Sequence, residues 1–158
     1  MRLRPGTRAD IPALARLVQD CDASHRAWTD HLELPELADQ AASWDVQFSR
    51  RGAWIGVAED DDGRIVGVVA YAPASQIGIA HVSAVFVHPT HWGRGIARRL
   101  VTAAEDAMRA EGYRGARLWT LAGSPAETVY RRLGWHPDGR RGESTSLDLP
   151  TVGYARQL

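Results

Sequence analysis

The chain has no lysine and no asparagine among its 158 residues, and a single cysteine, Cys21. One cysteine excludes an internal disulfide and a cysteine-based zinc site, and Cys21 reads as a small, partly buried apolar residue rather than a nucleophile. All 19 basic residues are arginine. That bias is what a GC-rich coding sequence produces, so it points to a bacterial source and carries no functional signal. Net charge is absent too, with 19 basic residues against 19 acidic ones. A neutral chain has no general electrostatic reason to seek nucleic acid or an anionic membrane. No stretch approaches the roughly 20 apolar residues that span a bilayer. No apolar signal core follows Met1-Arg2-Leu3-Arg4-Pro5, so a cytoplasmic location is expected. Without repeats, low-complexity tracts or linkers, residues 1–158 are expected to form one domain.

What is present alternates between two periodicities. Leu3 and Arg4 suit a short strand. Thr7-Arg8-Ala9-Asp10 has the form of a capping box, and Ile11, Leu14, Ala15 and Val18 follow at helical spacing. A polar, aromatic-containing stretch is expected from Asp20 to Leu34. Pro35 suits a first helical position, with Leu37, Ala41, Trp44 and Phe48 as the apolar stripe behind it. Val- and Ile-rich runs at 53–59 and 64–72 flank Asp60-Asp61-Asp62-Gly63, which is hairpin chemistry. A third strand is expected over 79–87, a helix over 93–110 ending at Gly112, and a strand over 117–121. Ser124-Pro125-Ala126-Glu127 opens a helix that ends at Gly134, and a strand pair at 135–137 and 152–157 closes the chain. The order is β-α-α-β-β-β-α-β-α-β-β. Three short-linked strands imply an antiparallel half, and the later strand-helix-strand unit implies a parallel crossover. An α/β fold with a mixed central sheet and helices on both faces satisfies both.

The most informative segment is Val85-Phe86-Val87-His88-Pro89-Thr90-His91-Trp92-Gly93-Arg94-Gly95-Ile96-Ala97. A strand ends, a turn follows, and Gly-x-Gly-x-Ala opens a helix whose free N–H groups carry partial positive charge. Such a loop suits a pyrophosphate, with Arg94, Arg98 and Arg99 adding charge. A plain strand-to-helix turn is the ordinary alternative. A dinucleotide fold is the other, but it wants its glycines after the first strand of a βαβ unit, and here they follow an antiparallel meander.

Trp92-Gly93-Arg94-Gly95-Ile96-Ala97 resembles the cofactor-binding signature of the GNAT superfamily of N-acetyltransferases, Gln/Arg-x-x-Gly-x-Gly/Ala, with Trp92 at the usual Gln/Arg position. Tyr130-Arg131-Arg132-Leu133-Gly134-Trp135 is similar to the family's Tyr-x-x-x-Gly-Phe element, and Ala126 fits four residues upstream. Gly123 stands where members often have the asparagine of a cofactor hydrogen bond. Arg4-Pro5-Gly6-Thr7 with Asp10-Ile11-Pro12-Ala13-Leu14 is typical of the family's opening, so the resemblance spans essentially the whole chain.

The resemblance implies a GNAT fold that binds acetyl-CoA as co-substrate and moves its acetyl group directly to a primary amine of a small molecule or peptide. It implies that the strands at 79–87 and 117–121 splay around the pantetheine arm, with Val85 and Val87 pairing with it through their main chains. The N–H groups from Gly93 through Arg94, Gly95, Ile96 and Ala97 to Arg98 would hold the pyrophosphate, and a main-chain N–H near Phe86 would polarise the thioester carbonyl. Tyr130 matches the family's general acid; its alternative is a core aromatic. Some members carry a catalytic histidine six residues before the position of Val87, which makes His81 the candidate base. It is expected on the same face as Val87, with Ser83 able to hold a relay water. A structural strand histidine is the alternative. Glu59 is a further candidate, or a solvated hairpin residue.

The resemblance also implies an acceptor pocket shaped by residues 21–34 and by the final loop at 138–151. Trp28 would be an apolar wall there, and Asp30 or Glu33 would pair with a cationic amine; an ordinary polar loop is the alternative. Trp44, Trp54, Trp119 and Trp135 suit structural roles. His25, His31 and His136 lack ligand spacing, so no metal is expected. The resemblance allows a homodimer. A non-catalytic acyl-CoA-binding module on the same fold is the alternative to an enzyme.

Overall fold

A computed structural model describes residues 1–30 and 32–158. Asp60 makes the first tight turn. Its Oδ1 accepts the N–H groups of Asp62 and Arg64 at 3.0 and 2.9 Å, and Gly63 takes φ +77°. The turn joins β2 (Trp54–Glu59) to β3 (Ile65–Pro73), and β4 (Ile79–Val87) follows antiparallel. β1 (Arg2–Pro5) pairs on the outer side of β2. β5 (Gly115–Leu121) joins β4 in parallel, and β7 (Pro150–Gln157) and β6 (His136–Glu143) complete a seven-stranded sheet of order β1-β2-β3-β4-β5-β7-β6.

β3 is apolar and buried nearly end to end because helices cover both sheet faces. α1 (Ile11–Ser24) and α2 (Leu37–Ser49) cover one face. There Leu14, Leu17, Val18, Cys21 and Trp44 pack on Ile55, Val57, Val68, Ala84 and Phe86. α3 (Ile96–Ala110) and α4 (Pro125–Arg132) cover the other, where Leu100, Ala104, Met108 and Tyr130 pack on Val69, Val82, Leu118 and Tyr154. The element order is the expected one. No described helix is long and apolar enough to cross a membrane.

Several boundaries move. α1 continues past Val18 to Ser24, so Asp20 and Asp22 are helical. Pro35 precedes the second helix, which starts at Leu37 with its side chain exposed. α3 begins at Ile96 because Gly93 and Gly95 adopt left-handed φ values of +75° and +77°. β6 runs on to Glu143, which shortens the expected 138–151 loop to residues 144–149. No hydrophobic pattern marks that extension. β6 is a polar edge strand with a bulge at Gly139, held by main-chain pairing and by the Arg140 guanidinium, which donates to the Leu118 and Tyr154 carbonyls.

Candidate active site

β4 and β5 pair only from Ile79–Val82 against Gly115–Leu118. Beyond that point each keeps its other neighbour: β4 stays on β3 to Val87, and β5 stays on β7 to Leu121. The strands therefore part at Ser83 and Trp119, and a cleft of about 1540 Å³ opens through the gap. It runs from α1 and α2, past the ends of β4 and β5, to the first turn of α3 and to α4.

The main-chain groups facing the gap follow from the ladder. The His88 N–H donates to the Val66 carbonyl at 2.8 Å, and antiparallel bonding alternates, so Phe86 also bonds toward β3. Val85 and Val87 then turn their N–H groups into the gap. The Phe86 N–H itself is spent in the ladder, so the free donors near it are those of its two neighbours. The Val87 carbonyl is also taken, accepting from the Trp92 indole at 2.7 Å and the Cys21 thiol at 3.3 Å.

Where β4 ends, the loop of Gly93 and Gly95 leads into α3. Gly95 sits at the helix N-cap with no side-chain cap, and a Cβ at either glycine would meet nothing within 4 Å. The N–H groups of the first turn therefore open on free space beside the cleft, a cradle that fits a diphosphate. Trp92, Gly93, Gly95, Ile96, Ala97 and Arg98 line the cleft. Arg94 and Arg99 are exposed and do not.

Tyr130 enters from α4. It is 7% exposed, 6.2 Å from Trp135 and 6.0 Å from Tyr154 between ring centres, and it borders the cleft. Burial pushes its phenol well above the ordinary value, so the hydroxyl stays protonated. Ser124, at the N-cap of α4, also lines the cleft, and its buried hydroxyl has no partner among the described residues.

His81 departs from expectation. The β3–β4 register shifts so that Ala70 faces Ala84 while Tyr71 faces Val82, which makes Ser83 an extra, bulged residue. The bulge reverses the alternation. Val82, Val85 and Val87 face α3 and α4, whereas His81 faces the side of α1 and α2 with Ala84 and Phe86. His81 is not among the cleft-lining residues, although Ser83 is. Burial, then the charges of Arg50 and Arg140, lower its pKa. Glu59 lies away from the cleft, clamped by Arg4 at 2.6 Å and Arg2 at 2.7 Å, which hold its carboxyl below the usual range.

On the acceptor side Trp28 lines the cleft, and Asp30 and Glu33 are exposed outside it. His31 lies outside the described residues. Trp44, Trp54 and Trp135 are packed as expected, but Trp119 is 41% exposed, faces the cleft and carries the Arg140 guanidinium 4.5 Å over its ring. Two residues escaped the sequence reading. Asp22 on α1 and Gln40 on α2 are both buried, both line the cleft, and bond to each other at 3.3 Å. Among the described residues no group of three or more His, Cys, Asp or Glu side chains is placed to hold a metal ion.

The model of the acetyltransferase (GNAT) family matches residues 15–135. The chain belongs to that family. Solved structures of similar fold include the ribosomal-protein-alanine N-acetyltransferase from Brucella melitensis, at 24% identity over 100% of both chains with a TM-score of 0.76. A GNAT-family acetyltransferase from Staphylococcus aureus Mu50 is 16% identical over 99% of this chain and 98% of its own, with a TM-score of 0.79. The PaiA N-acetyltransferase from Thermoplasma acidophilum, solved in complex with coenzyme A, is 13% identical over 99% and 98%, with a TM-score of 0.74. No curated protein matches the sequence.

Proposed function

We propose that this GNAT acetyltransferase moves the acetyl group of acetyl-CoA directly onto a primary amine of a small molecule or peptide. The observation that carries the reading is the β4–β5 gap, which leads from the uncapped first turn of α3 to the Tyr130 hydroxyl within one cleft. First-turn N–H groups and Arg98 hold the diphosphate. Val85 and Val87 offer main-chain pairing to the pantetheine arm, and the free N–H of one of them polarises the thioester carbonyl. Tyr130, kept protonated by burial, returns a proton to the departing thiolate. His81, held neutral, is the base only if Ser83 or a water relays the proton to it, since it does not border the cleft.

Purified protein incubated with acetyl-CoA and a panel of primary amines should release CoA in proportion to acetylated amine. A second reading, a non-catalytic acyl-CoA-binding module, is favoured by one observation: the expected base stands outside the cleft. It predicts micromolar-range CoA binding with no turnover on any amine of the panel.

A further inference from the structure

We infer that Asp22, oriented by Gln40, is a cation subsite in the acceptor arm of the cleft and takes the ammonium group of an amine that carries an apolar or aromatic body. The inference rests on the acetyltransferase reading of the same cleft and names its acceptor class.

Asp22 occupies the buried stripe of α1, one turn beyond Val18, and is 4% exposed. Its one side-chain partner among the described residues is neutral: the Gln40 amide donates to Oδ2 at 3.3 Å. No described cation lies within ion-pairing distance of it. A carboxylate taken out of water is normally paired, because one amide hydrogen bond does not offset the lost hydration. Here the missing counter-charge has a route of entry, since Asp22 and Gln40 both line the cleft. Burial alone raises its carboxyl to about 6, with no opposing cation, so it is an anion at neutral pH awaiting a partner.

The surroundings define the rest of the ligand. Trp44 lies one turn beyond Gln40 on α2. His25 lies one turn beyond Asp22 and meets Trp28 edge-on at 5.3 Å. All line the same arm of the cleft, and Trp faces favour cations as well as apolar bodies. Of the arm's other titratable groups, Cys21 and His25 are uncharged, because burial pushes the thiol up to about 12 and lowers the His25 pKa, whereas Asp39 is an exposed carboxylate whose pull on an ammonium is screened by water. The arm adjoins the gap, because Cys21, next to Asp22, contacts the Val87 carbonyl at the end of β4.

The test is a titration with 2-phenylethylamine and its uncharged analogue 2-phenylethanol at pH 7.5. The tryptophan indole N–H resonances are followed with and without saturating CoA. The amine is expected to bind at least tenfold more tightly than the alcohol. Asp22→Asn should bring the two within twofold of each other while CoA affinity stays unchanged, and Asp30→Asn should keep the full preference. If wild type does not prefer the amine, or if Asp22→Asn retains the preference, the subsite is overturned. Should Asp22→Asn not fold, wild type still decides: saturating amine, and not alcohol, should lower the pKa read from the Asp22 carboxyl carbon. An unmoved pKa refutes the subsite. Failure to bind CoA would instead remove the acetyltransferase reading, leaving the amine titration to judge the subsite separately.

Discussion

The indole N–H of Trp92 donates to the main-chain carbonyl of Val87 at 2.7 Å, which ties the glycine-rich loop to the last residue of β4. Trp92 is 53% exposed, so the bond and not burial justifies so large a side chain there. The same carbonyl accepts the Cys21 thiol, so its direction, and with it that of the Val87 peptide bond, is fixed from two sides. Trp92→Phe removes one bond and keeps the ring. A neutral hydrogen bond is worth about 0.5–1.5 kcal/mol net. CoA affinity measured by calorimetry should therefore fall roughly two- to tenfold, with the fold intact. Unchanged affinity would mean that the loop is held without the indole.

Tyr130 makes no side-chain hydrogen bond among the described residues, so Tyr130→Phe should alter thermal stability by less than about 1 kcal/mol. Turnover is another matter. General acid catalysis contributes about 10²–10⁴-fold. Steady-state kinetics should give a kcat at least a hundredfold lower, with the acetyl-CoA dissociation constant within about twofold of wild type. A loss of affinity with kcat preserved would make Tyr130 a wall of the cleft and not its acid.

The element order, the sheet type and the glycine-rich turn into α3 were legible from alternating and helical periodicities and from turn residues, because those features are local. Three features were not. The end of α1 was obscured because Asp20, Cys21 and Asp22 look like loop chemistry, although Asp22 continues the Leu14–Val18 stripe by one turn. The β6 extension leaves no apolar trace on a polar edge strand. The bulge at Ser83 shows only in pairing with β3, since Ala70 and Tyr71 face Ala84 and Val82. A count of two residues per repeat along β4 carries His81 to the wrong face for that reason.

Gly95 and Gly63 share a φ of +77°, and a Cβ at either would meet no neighbour within 4 Å. A side chain at each therefore costs a similar backbone strain of about 1–2 kcal/mol. Only Gly95 borders the cleft. Gly95→Glu and Gly63→Glu should thus lower thermal stability comparably. Gly95→Glu should also weaken CoA binding at least a hundredfold by placing an anion in the cradle, and Gly63→Glu should leave it within twofold. Equal CoA affinity in the two variants would put the diphosphate elsewhere.

Asp22 gives the protein a pH dependence opposite in sign to that of its paired carboxylates. Asp10, Glu59 and Glu127 are held below the usual range, first by bonds to Arg4 in the first two and to the Tyr154 hydroxyl in the third. They add stability above about pH 4 and lose it on acidification. Asp22 titrates near 6 in the folded state against 3.8 for an unburied aspartate. Between those values the folded chain holds more protons than the unfolded one, so the Asp22 contribution declines as pH rises and is fully lost above about 6. A displacement of that size is worth at most about 3 kcal/mol, and contact with cleft water reduces it to about 2 kcal/mol. Asp22→Asn keeps an oxygen for the Gln40 amide and removes the charge. The variant should match wild type near pH 4 and exceed it by about 2 kcal/mol at pH 7, or about 4–8 °C in Tm for a chain of this size. The difference between the two proteins cancels the carboxylates they share. A flat difference across pH 4–7 would mean that Asp22 is solvated in the folded state.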